Sequence, residues 1–502
     1  MIVYSLYLLI FLSLIYFNGF FGLLEDTSIT GKKLSLFFFG KALAVPVFLY
    51  LHTKLYGGIN NLDTGKFYHD VTTIYDYGKT DFNFLVRLIF GLQNDNPGSA
   101  DYEHVLKNTL NWDNGTAKDY FYNDNRVVIR VHVLLNVFTF GCYPVHALFS
   151  CFLSFGGLFF LYKTFKEWFI GKEVQVLFLF CFFPSLWFYT GALLKEGITI
   201  FILGNVLFQL KGFIDGKFFI FKGLWLLFLL FLSLLLKPYL LLFSVFCFGL
   251  FFVIHHSKKI NKKILVYFSI ICVLIMTANT LSILVKHRSL SEAATRHQQR
   301  FTGISKGGIF LSDSITFIRL TNDTNQIIRD KENHFRIKKN SSYMYWRGSE
   351  NDTLFVPLNS DTTSVYELAY SIEPSNSNIL LPTSNIVAIA GACLYYTLFY
   401  PTFFSAKSAI QVLAAAENLV ILAALIIVLF GLIKIKRQKF LVLVFLFFTL
   451  ALCLLIGFTA PNSGAIFRYR SPAMLFLLLG ALYYSDDLKQ FLLNRKKPGL
   501  RK

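Results

Sequence analysis

The stretch HHSKKINKK, residues 255–263, decides the fold, because it places a cationic connector between the apolar runs 239–255 and 264–285. Other short connectors are also rich in Lys or Arg, and they lie at 32–33, 163–172, 211–217, 434–439 and 495–502. Cytoplasmic loops of membrane proteins carry such an excess of basic residues. The pattern therefore predicts that all these connectors lie on the cytoplasmic side of a membrane.

The composition is that of a membrane protein. The chain is 55% hydrophobic, 18% aromatic and 15% charged, which excludes an ordinary soluble domain. The formal charge of +19 could indicate nucleic-acid binding, but the basic residues sit in short connectors and form no RNA- or DNA-binding motif. We therefore expect membrane lipids, and no nucleic acid, as partners of this positive charge.

Apolar runs of about the length that spans a bilayer occur at about eleven places. They are 2–24, 35–55, 143–162, 174–191, 194–210, 218–236, 239–255, 264–285, 409–433, 440–459 and 470–485. The sequence predicts an all-α polytopic integral membrane protein, with its N-terminus outside and its C-terminus inside.

This pattern divides the chain into membrane parts and extracytoplasmic parts. The predicted segments are two spans (1–55), an extracytoplasmic loop (56–142), a six-span core (143–285), an extracytoplasmic subdomain (286–384), an interfacial or re-entrant segment (385–408), three spans (409–485) and a basic tail (486–502). In 81–91, Phe82, Leu85, Leu88 and Ile89 share one helical face, and this spacing predicts a helix on the membrane surface. The alternating stretches TLFVPL and SVYELAYSI predict short β-strands in the subdomain.

No cofactor is predicted. The seven cysteines lie in or beside hydrophobic segments without metal-ligand spacing, so we interpret them as packing residues. A divalent cation is compatible with the chemistry proposed below, but no motif indicates one.

Two acids in the first outer loop are candidates for a general base. Asp63 and Asp70 lie with Tyr68 in YGGINNLDTGKFYHDV, residues 56–71. Burial above a bilayer raises the pKa of a carboxylate toward the working pH, as a base requires. The simpler explanation is a loop acid in water.

Two further outer turns carry charge at membrane depth. Lys195 and Glu196 end PSLWFYTGALLKEG (184–197), where charges usually face a cavity or each other, and Lys195 could hold a phosphate. A snorkelling pair is the alternative. Lys237 and Tyr239 form the next turn, LKPY, where an outer Lys runs against the charge rule. An interfacial Lys–Tyr anchor is the alternative there.

The last outer turn, TAPNSGAIFRYRSP (459–472), contains Arg468 and Arg470. Guanidinium groups bind phosphate in a bidentate manner, so both arginines are candidate ligands of a lipid phosphate, and solvated loop arginines are the alternative. Glu417, beside Asn418 within the run 409–433, is a weaker candidate, because acids inside membrane spans are usually functional.

Together these residues suggest transfer of a group from a lipid-phosphate donor. An acid would deprotonate the acceptor hydroxyl, and the cations would stabilise the departing phosphate. A flippase of the same lipid would need the cations but no base. A non-catalytic envelope scaffold would need neither.

The order of these motifs resembles that of polytopic bacterial proteins of envelope-polysaccharide assembly, which are similar to GT-C-type glycosyltransferases and O-antigen polymerase-like proteins. The resemblance rests on DTGKFY (63–68), the 184–197 segment, LKPY, LFYP (398–401) with AAAEN (414–418), and the last outer turn. It implies a glycosyltransferase or polymerase of the bacterial inner membrane that acts on a polyprenyl-phosphate-linked sugar and a glycan or lipid acceptor.

The chain departs from that pattern in two places. INNL precedes Asp63 where a Gly-Gly-Asp approach is expected, so the base remains open between Asp63 and Asp70. Tyr400 stands where the resemblance implies an Arg before Pro401, so one candidate phosphate ligand is missing.

Overall fold

The structure is a computed structural model. It describes residues 2–18, 28–56, 58–59, 62–95, 98–112, 124–217, 219–257, 262–286, 386–435, 438–460 and 462–495, and the backbone of short strands between 308 and 372. Lys258 and Lys259 of the opening stretch, and residues 496–502 of the predicted basic tail, lie outside the described residues.

Helices form almost all of the part whose side chains are described. In chain order they are α1 Ile2–Asn18, α2 Gly31–Ala42, α3 Ala44–Tyr56, α4 Asp63–Gly78, α5 Phe82–Phe90, α6 Ala100–His104, α7 Asp124–Thr139, α8 Tyr143–Phe165, α9 Glu173–Phe182, α10 Pro184–Tyr189, α11 Lys195–Ile214, α12 Ile220–Leu236, α13 Pro238–His256, α14 Lys263–Lys286, α15 Ile386–Leu398, α16 Ala409–Lys434, α17 Phe440–Thr459 and α18 Ser463–Arg495.

Among the described residues, 7 helical stretches are long and apolar enough to cross a membrane. They are Gly31–Lys54, Tyr143–Trp168, Lys195–Ile214, Pro238–His256, Ala409–Lys434, Phe440–Thr459 and Ser463–Phe491. Other predicted runs coincide with shorter apolar helices, among them Ile2–Phe17, Glu173–Phe182 and Ile220–Leu236. The all-helical fold is thus confirmed for this part of the chain, which is compatible with a multi-pass membrane protein.

Local backbone chemistry explains one difference from the predicted runs. The run 174–191 is divided into α9 and α10 at Phe183, which has ψ 122° and is followed by Pro184. Proline has no N–H and forces the preceding residue out of the helical region, so one continuous helix cannot form there.

Glycines bring α8 and α11 into close contact. A Cβ on Gly204 would lie 1.8 Å from the carbonyl oxygen of Gly157, and a Cβ on Gly197 would lie 2.7 Å from that of Ser150. Small residues allow helix backbones to approach this closely in membranes. Because Gly197 follows Glu196 directly, this packing fixes the first turn of α11 against α8.

The predicted first outer loop contains α4–α7. Asp63 is the first residue of α4, and Asp124 is the first residue of α7. The predicted helix near 81–91 is present as α5, but its buried residues are Phe84 and Leu88, while Phe82 is exposed. The face that packs therefore differs from the predicted face, which included Phe82.

A seven-stranded antiparallel sheet lies within the predicted second outer region. Its strands are β1 Gly308–Ser312, β2 Thr316–Leu320, β3 Ile327–Lys331, β4 His334–Ile337, β5 Ser342–Arg347, β6 Thr353–Pro357 and β7 Tyr366–Ile372, in the order β3-β4-β7-β1-β2-β5-β6. The last two strands fall on the two alternating stretches of the sequence. In the segment 385–408, α15 has 13 residues, or about 20 Å at 1.5 Å per residue, less than the roughly 30 Å of a hydrocarbon core.

Candidate functional site

Arg468 joins two carboxylates that come from distant parts of the chain. Its Nη1 donates a hydrogen bond to Oδ2 of Asp63 at 2.9 Å, and its Nε donates to Oε1 of Glu196 at 3.3 Å. The side chain of Asp63 is 58% exposed, whereas those of Arg468 and Glu196 are 17% and 5% exposed. The guanidinium therefore bridges a buried acid and an acid at the surface.

Lys237 is the second cation on Glu196. Its Nζ lies 3.4 Å from Oε1 of Glu196 and 4.4 Å from the centre of the Tyr469 ring. Burial lowers the pKa of Lys237, and the carboxylate of Glu196 opposes that shift. Oε2 of Glu196 is buried and receives no hydrogen bond from the described residues. Oε1 of Glu196 thus contacts both cations, and Oε2 can accept a hydrogen bond from a ligand.

A second ion pair lies beside this group. Nζ of Lys195 is 2.6 Å from Oδ1 of Asp124. Lys237 interacts electrostatically with both Lys195 and Asp124. Asp124 was not a candidate from the sequence, because it lies between Asn123 and Asn125, in a stretch with only the polar composition of a loop. We name Asp63, Asp124, Lys195, Glu196, Lys237 and Arg468 the charged cluster.

Two aromatic residues border the charged cluster. Tyr239, at the second position of α13, is partly exposed and interacts electrostatically with Asp124 and Glu196. Tyr469 follows Arg468 in α18 and lies under the ammonium of Lys237. The sequence predicts Tyr239 but not Tyr469, because the phosphate-binding pattern of that turn is carried by its two arginines alone.

The position of Asp63 is fixed by the rest of α4. Thr64 Oγ1 and Tyr143 Oη are 2.6 Å apart, and the hydroxyl of Tyr68 donates to the carbonyl oxygen of Gly141. Burial raises the pKa of Tyr68, so this phenol stays a neutral donor. These bonds anchor α4 at the start of α8, while the carboxylate of Asp63, in the first turn, remains accessible.

Asp70 has a different environment. Its Oδ1 accepts a hydrogen bond from the backbone N–H of Leu110, and its Oδ2 accepts from those of Asn111 and Trp112, all at 2.7–2.8 Å. The side chain is completely buried. Because its oxygens are occupied by the 110–112 backbone, the structure favours Asp63 over Asp70 as the accessible acid.

Arg470 and Glu417 lie in a separate buried pair. Nη2 of Arg470 donates to Oε1 of Glu417 at 2.7 Å, and Nη1 donates to the carbonyl oxygen of Thr397 at 2.6 Å. Oε2 of Glu417 accepts from the backbone N–H of Ser185 at 2.6 Å. The structure therefore does not bring Arg470 and Glu417 to the charged cluster. The pair instead links α18, α16, α15 and α10.

The charged cluster lies at the end of the helices opposite to the basic connectors. Lys211, which pairs with Glu167, lies roughly 24 Å along α11 from Lys195 at 1.5 Å per residue. Asp486, which pairs with Lys172, lies roughly 27 Å along α18 from Arg468. The separation of the connectors from the candidate residues, expected from charge alone, is present in the fold.

The arrangement combines an accessible carboxylate, a buried carboxylate with a free acceptor oxygen, and three cations. Among the described residues, no group of three or more His, Cys, Asp or Glu could hold a metal ion. The cluster can bind an anion at Arg468 and Lys237. Glu196 can accept a hydrogen bond from a hydroxyl group, and Asp63 can take up a proton. No protein-family model, curated protein or solved structure matches the chain.

Proposed function

We propose that the protein is a membrane glycosyltransferase or polymerase that acts on a polyprenyl-phosphate-linked sugar during assembly of a cell-envelope polysaccharide or glycolipid. The acceptor is a glycan or a lipid. The observation that carries this proposal is the convergence of Asp63, Glu196, Lys237 and Arg468, from four separate parts of the chain, at the end of apolar helices. The order of motifs in the sequence supports the same class.

The reaction would proceed by direct displacement. The acceptor hydroxyl oxygen forms a bond to the anomeric carbon while the bond from that carbon to the phosphate oxygen breaks. Asp63 takes the hydroxyl proton, and the phosphate leaves with the bonding electrons. Preorganised cations stabilise charge that develops on a leaving group, which is the role of Arg468 and Lys237.

Glu196 would orient the sugar. A buried carboxylate oxygen without a hydrogen-bond donor is unfavourable, and a sugar hydroxyl would satisfy Oε2 of Glu196. The other oxygen stays with Arg468 and Lys237, so the sugar and its phosphate would be held by adjacent groups. The ion pair of Lys195 with Asp124 lies beside them.

The location that we propose is the bacterial inner membrane, with the charged cluster outside the cytoplasm. In that orientation the N-terminus is outside and the C-terminus inside, because basic connectors remain in the cytoplasm. A polyprenyl-linked sugar would then reach the cluster from the outer leaflet.

The decisive experiment is Asp63→Asn, which removes the charge and preserves the shape. In purified protein with a polyprenyl-phosphate sugar donor, we expect loss of glycan product by roughly a hundredfold or more, as is typical for removal of a general base. Asp76→Asn is the matched control, since Asp76 is an exposed acid on the same helix that pairs with Lys79. Unchanged product formation by Asp63→Asn would exclude Asp63 as the base.

The alternative is a flippase of the same lipid-linked sugar. The charged cluster also suits this function, because translocation needs cations for the phosphate and no proton acceptor. Transport of a fluorescent lipid-linked sugar across vesicle membranes separates the two. A flippase would keep transport in Asp63→Asn, and wild-type protein would form no glycosidic bond. A non-catalytic scaffold would show neither activity.

A further inference from the structure

The contact between Asp63 and Arg468 lies in the same site. What we infer from it rests on the proposed function. We infer that the Asp63 carboxylate occupies the phosphate subsite of the resting protein, and that the lipid phosphate displaces it from Arg468. The same exchange would release the carboxylate to act as a base. The ligand would thus activate the group that deprotonates the acceptor.

The exposure of the partners indicates which contact can open. Arg468 is held from within by Glu196, which is almost completely buried, and from outside by Asp63, whose side chain is more than half exposed. Exposed ion pairs are weak, whereas separating a buried pair leaves an uncompensated charge. An incoming anion would therefore replace Asp63, while Glu196 would keep the guanidinium in place.

The guanidinium of Arg468 has an N–H donor group that can still bind a ligand. The contacts of Arg468 use Nη1 and Nε, and within the described residues Nη2 has no acceptor. The pairing with Asp63 is thus monodentate. A phosphate could accept hydrogen bonds from both Nη1 and Nη2, a geometry that strengthens binding and fixes orientation.

The charge balance of the cluster favours such an exchange. Its three acids, Asp63, Asp124 and Glu196, balance its three cations, Lys195, Lys237 and Arg468. Asp124 and Glu196 engage the two lysines and the inner side of Arg468. A phosphate that entered with every contact intact would add uncompensated negative charge in a partly buried place, which is unfavourable. Withdrawal of Asp63 frees one positive charge for the ligand.

The test measures binding of farnesyl phosphate to detergent-purified full-length protein, with inorganic phosphate and farnesol as separate ligands. Asp63→Asn removes the competing anion, and we expect about fivefold tighter binding of farnesyl phosphate, the scale of an exposed ion pair. Turnover of the sugar donor should fall in the same variant. Tighter binding together with lost turnover distinguishes displacement from a role of Asp63 in holding the ligand.

A double-mutant cycle separates the specific exchange from general electrostatics. In an Arg468→Ala background, Asp63→Asn should change affinity less than twofold, because the contested group is absent. An equal gain in both backgrounds would overturn the inference, as would weaker or unchanged binding by Asp63→Asn when wild-type protein binds and turns over its donor. Wild-type protein that binds inorganic phosphate as tightly as farnesyl phosphate, or binds neither, would overturn the proposed lipid substrate itself.

Discussion

Arg470 donates a hydrogen bond from Nη2 to Oε1 of Glu417 across 2.7 Å, and both side chains are almost completely buried. Arg468, two positions earlier, faces Asp63 and Glu196 instead. Residues at i and i+2 of a helix do not share a face, because each residue turns the chain by about 100°. The two arginines therefore have different neighbours, and we expect them to have different tasks.

Breaking the Arg470–Glu417 pair should lower the stability of the folded protein, and any loss of glycan product should follow from that instability. Removing one partner of a buried ion pair costs about 3–5 kcal/mol, because the other charge remains buried without compensation. We expect Arg470→Met and Glu417→Gln each to lower the melting temperature in detergent, with little folded protein recovered. The double variant should regain part of the loss. A folded, thermally stable Arg470→Met protein without glycan product would instead place Arg470 in the reaction.

Asp70 should also stabilise the fold and take no part in the reaction. In Asp70→Asn an amide NH₂ would face backbone N–H groups that now donate to a carboxylate. We expect a loss of about 3 kcal/mol in stability, read as a lower melting temperature, since hydrogen bonds to charged groups are strong. Asp76→Asn should leave the melting temperature unchanged. If Asp70→Asn is as stable as wild type but inactive, Asp70 acts in chemistry.

These contrasts show what the sequence could predict. Apolar length and the charge of connectors predicted helices at nearly every run, because both properties are local. The interpretation of 459–472 as a turn missed that α18 begins at Ser463, so Arg468 and Arg470 appeared equivalent. The choice between Asp63 and Asp70, and the part played by Asp124, depend on contacts with distant residues such as Arg468, Trp112 and Lys195. No local pattern encodes those contacts.

A buried histidine pair should make stability depend on pH. His132 Nδ1 lies 3.1 Å from His146 Nδ1, and Nε2 of His146 lies 2.8 Å from the acceptor Oδ1 of Asn136. This pattern assigns the proton of His146 to Nε2, so its Nδ1 accepts from His132. Burial, and secondarily His146, lowers the pKa of His132 well below its ordinary value of 6.5.

The folded state therefore holds His132 neutral, and the unfolded state takes up a proton near pH 6.5. Its contribution to stability is complete above that pH and is lost as the pH falls toward the lower folded pKa. We expect the melting temperature to fall from pH 7 to pH 5, and to fall less in His132→Gln, whose amide can replace the contacts of His132 with His146 and with the hydroxyl of Ser150. His256→Gln, at an exposed position, is the control. Identical slopes for wild type and His132→Gln would contradict this assignment.

The proposed orientation predicts a labelling pattern. In a cysteine-free background, Ser342→Cys should react with a membrane-impermeant maleimide in intact cells. Lys217→Cys should react only after permeabilisation, because 211–217 is a basic connector. Labelling of Lys217→Cys in intact cells, or of Ser342→Cys only after permeabilisation, would reverse the orientation and place the charged cluster in the cytoplasm.

Arg468→Lys tests whether the cluster needs a guanidinium or only a charge. A lysine ammonium is a single point of positive charge, whereas Arg468 donates to Asp63 and Glu196 from different nitrogens. We expect donor turnover to fall about a hundredfold in both Arg468→Lys and Arg468→Ala, the scale of losing one transition-state donor. Arg87→Lys is the control, because Arg87 makes an ion pair with Asp101 away from the cluster. If Arg468→Lys keeps more than half of the turnover while Arg468→Ala loses it, a point charge suffices, and bidentate binding of the phosphate by Arg468 is wrong.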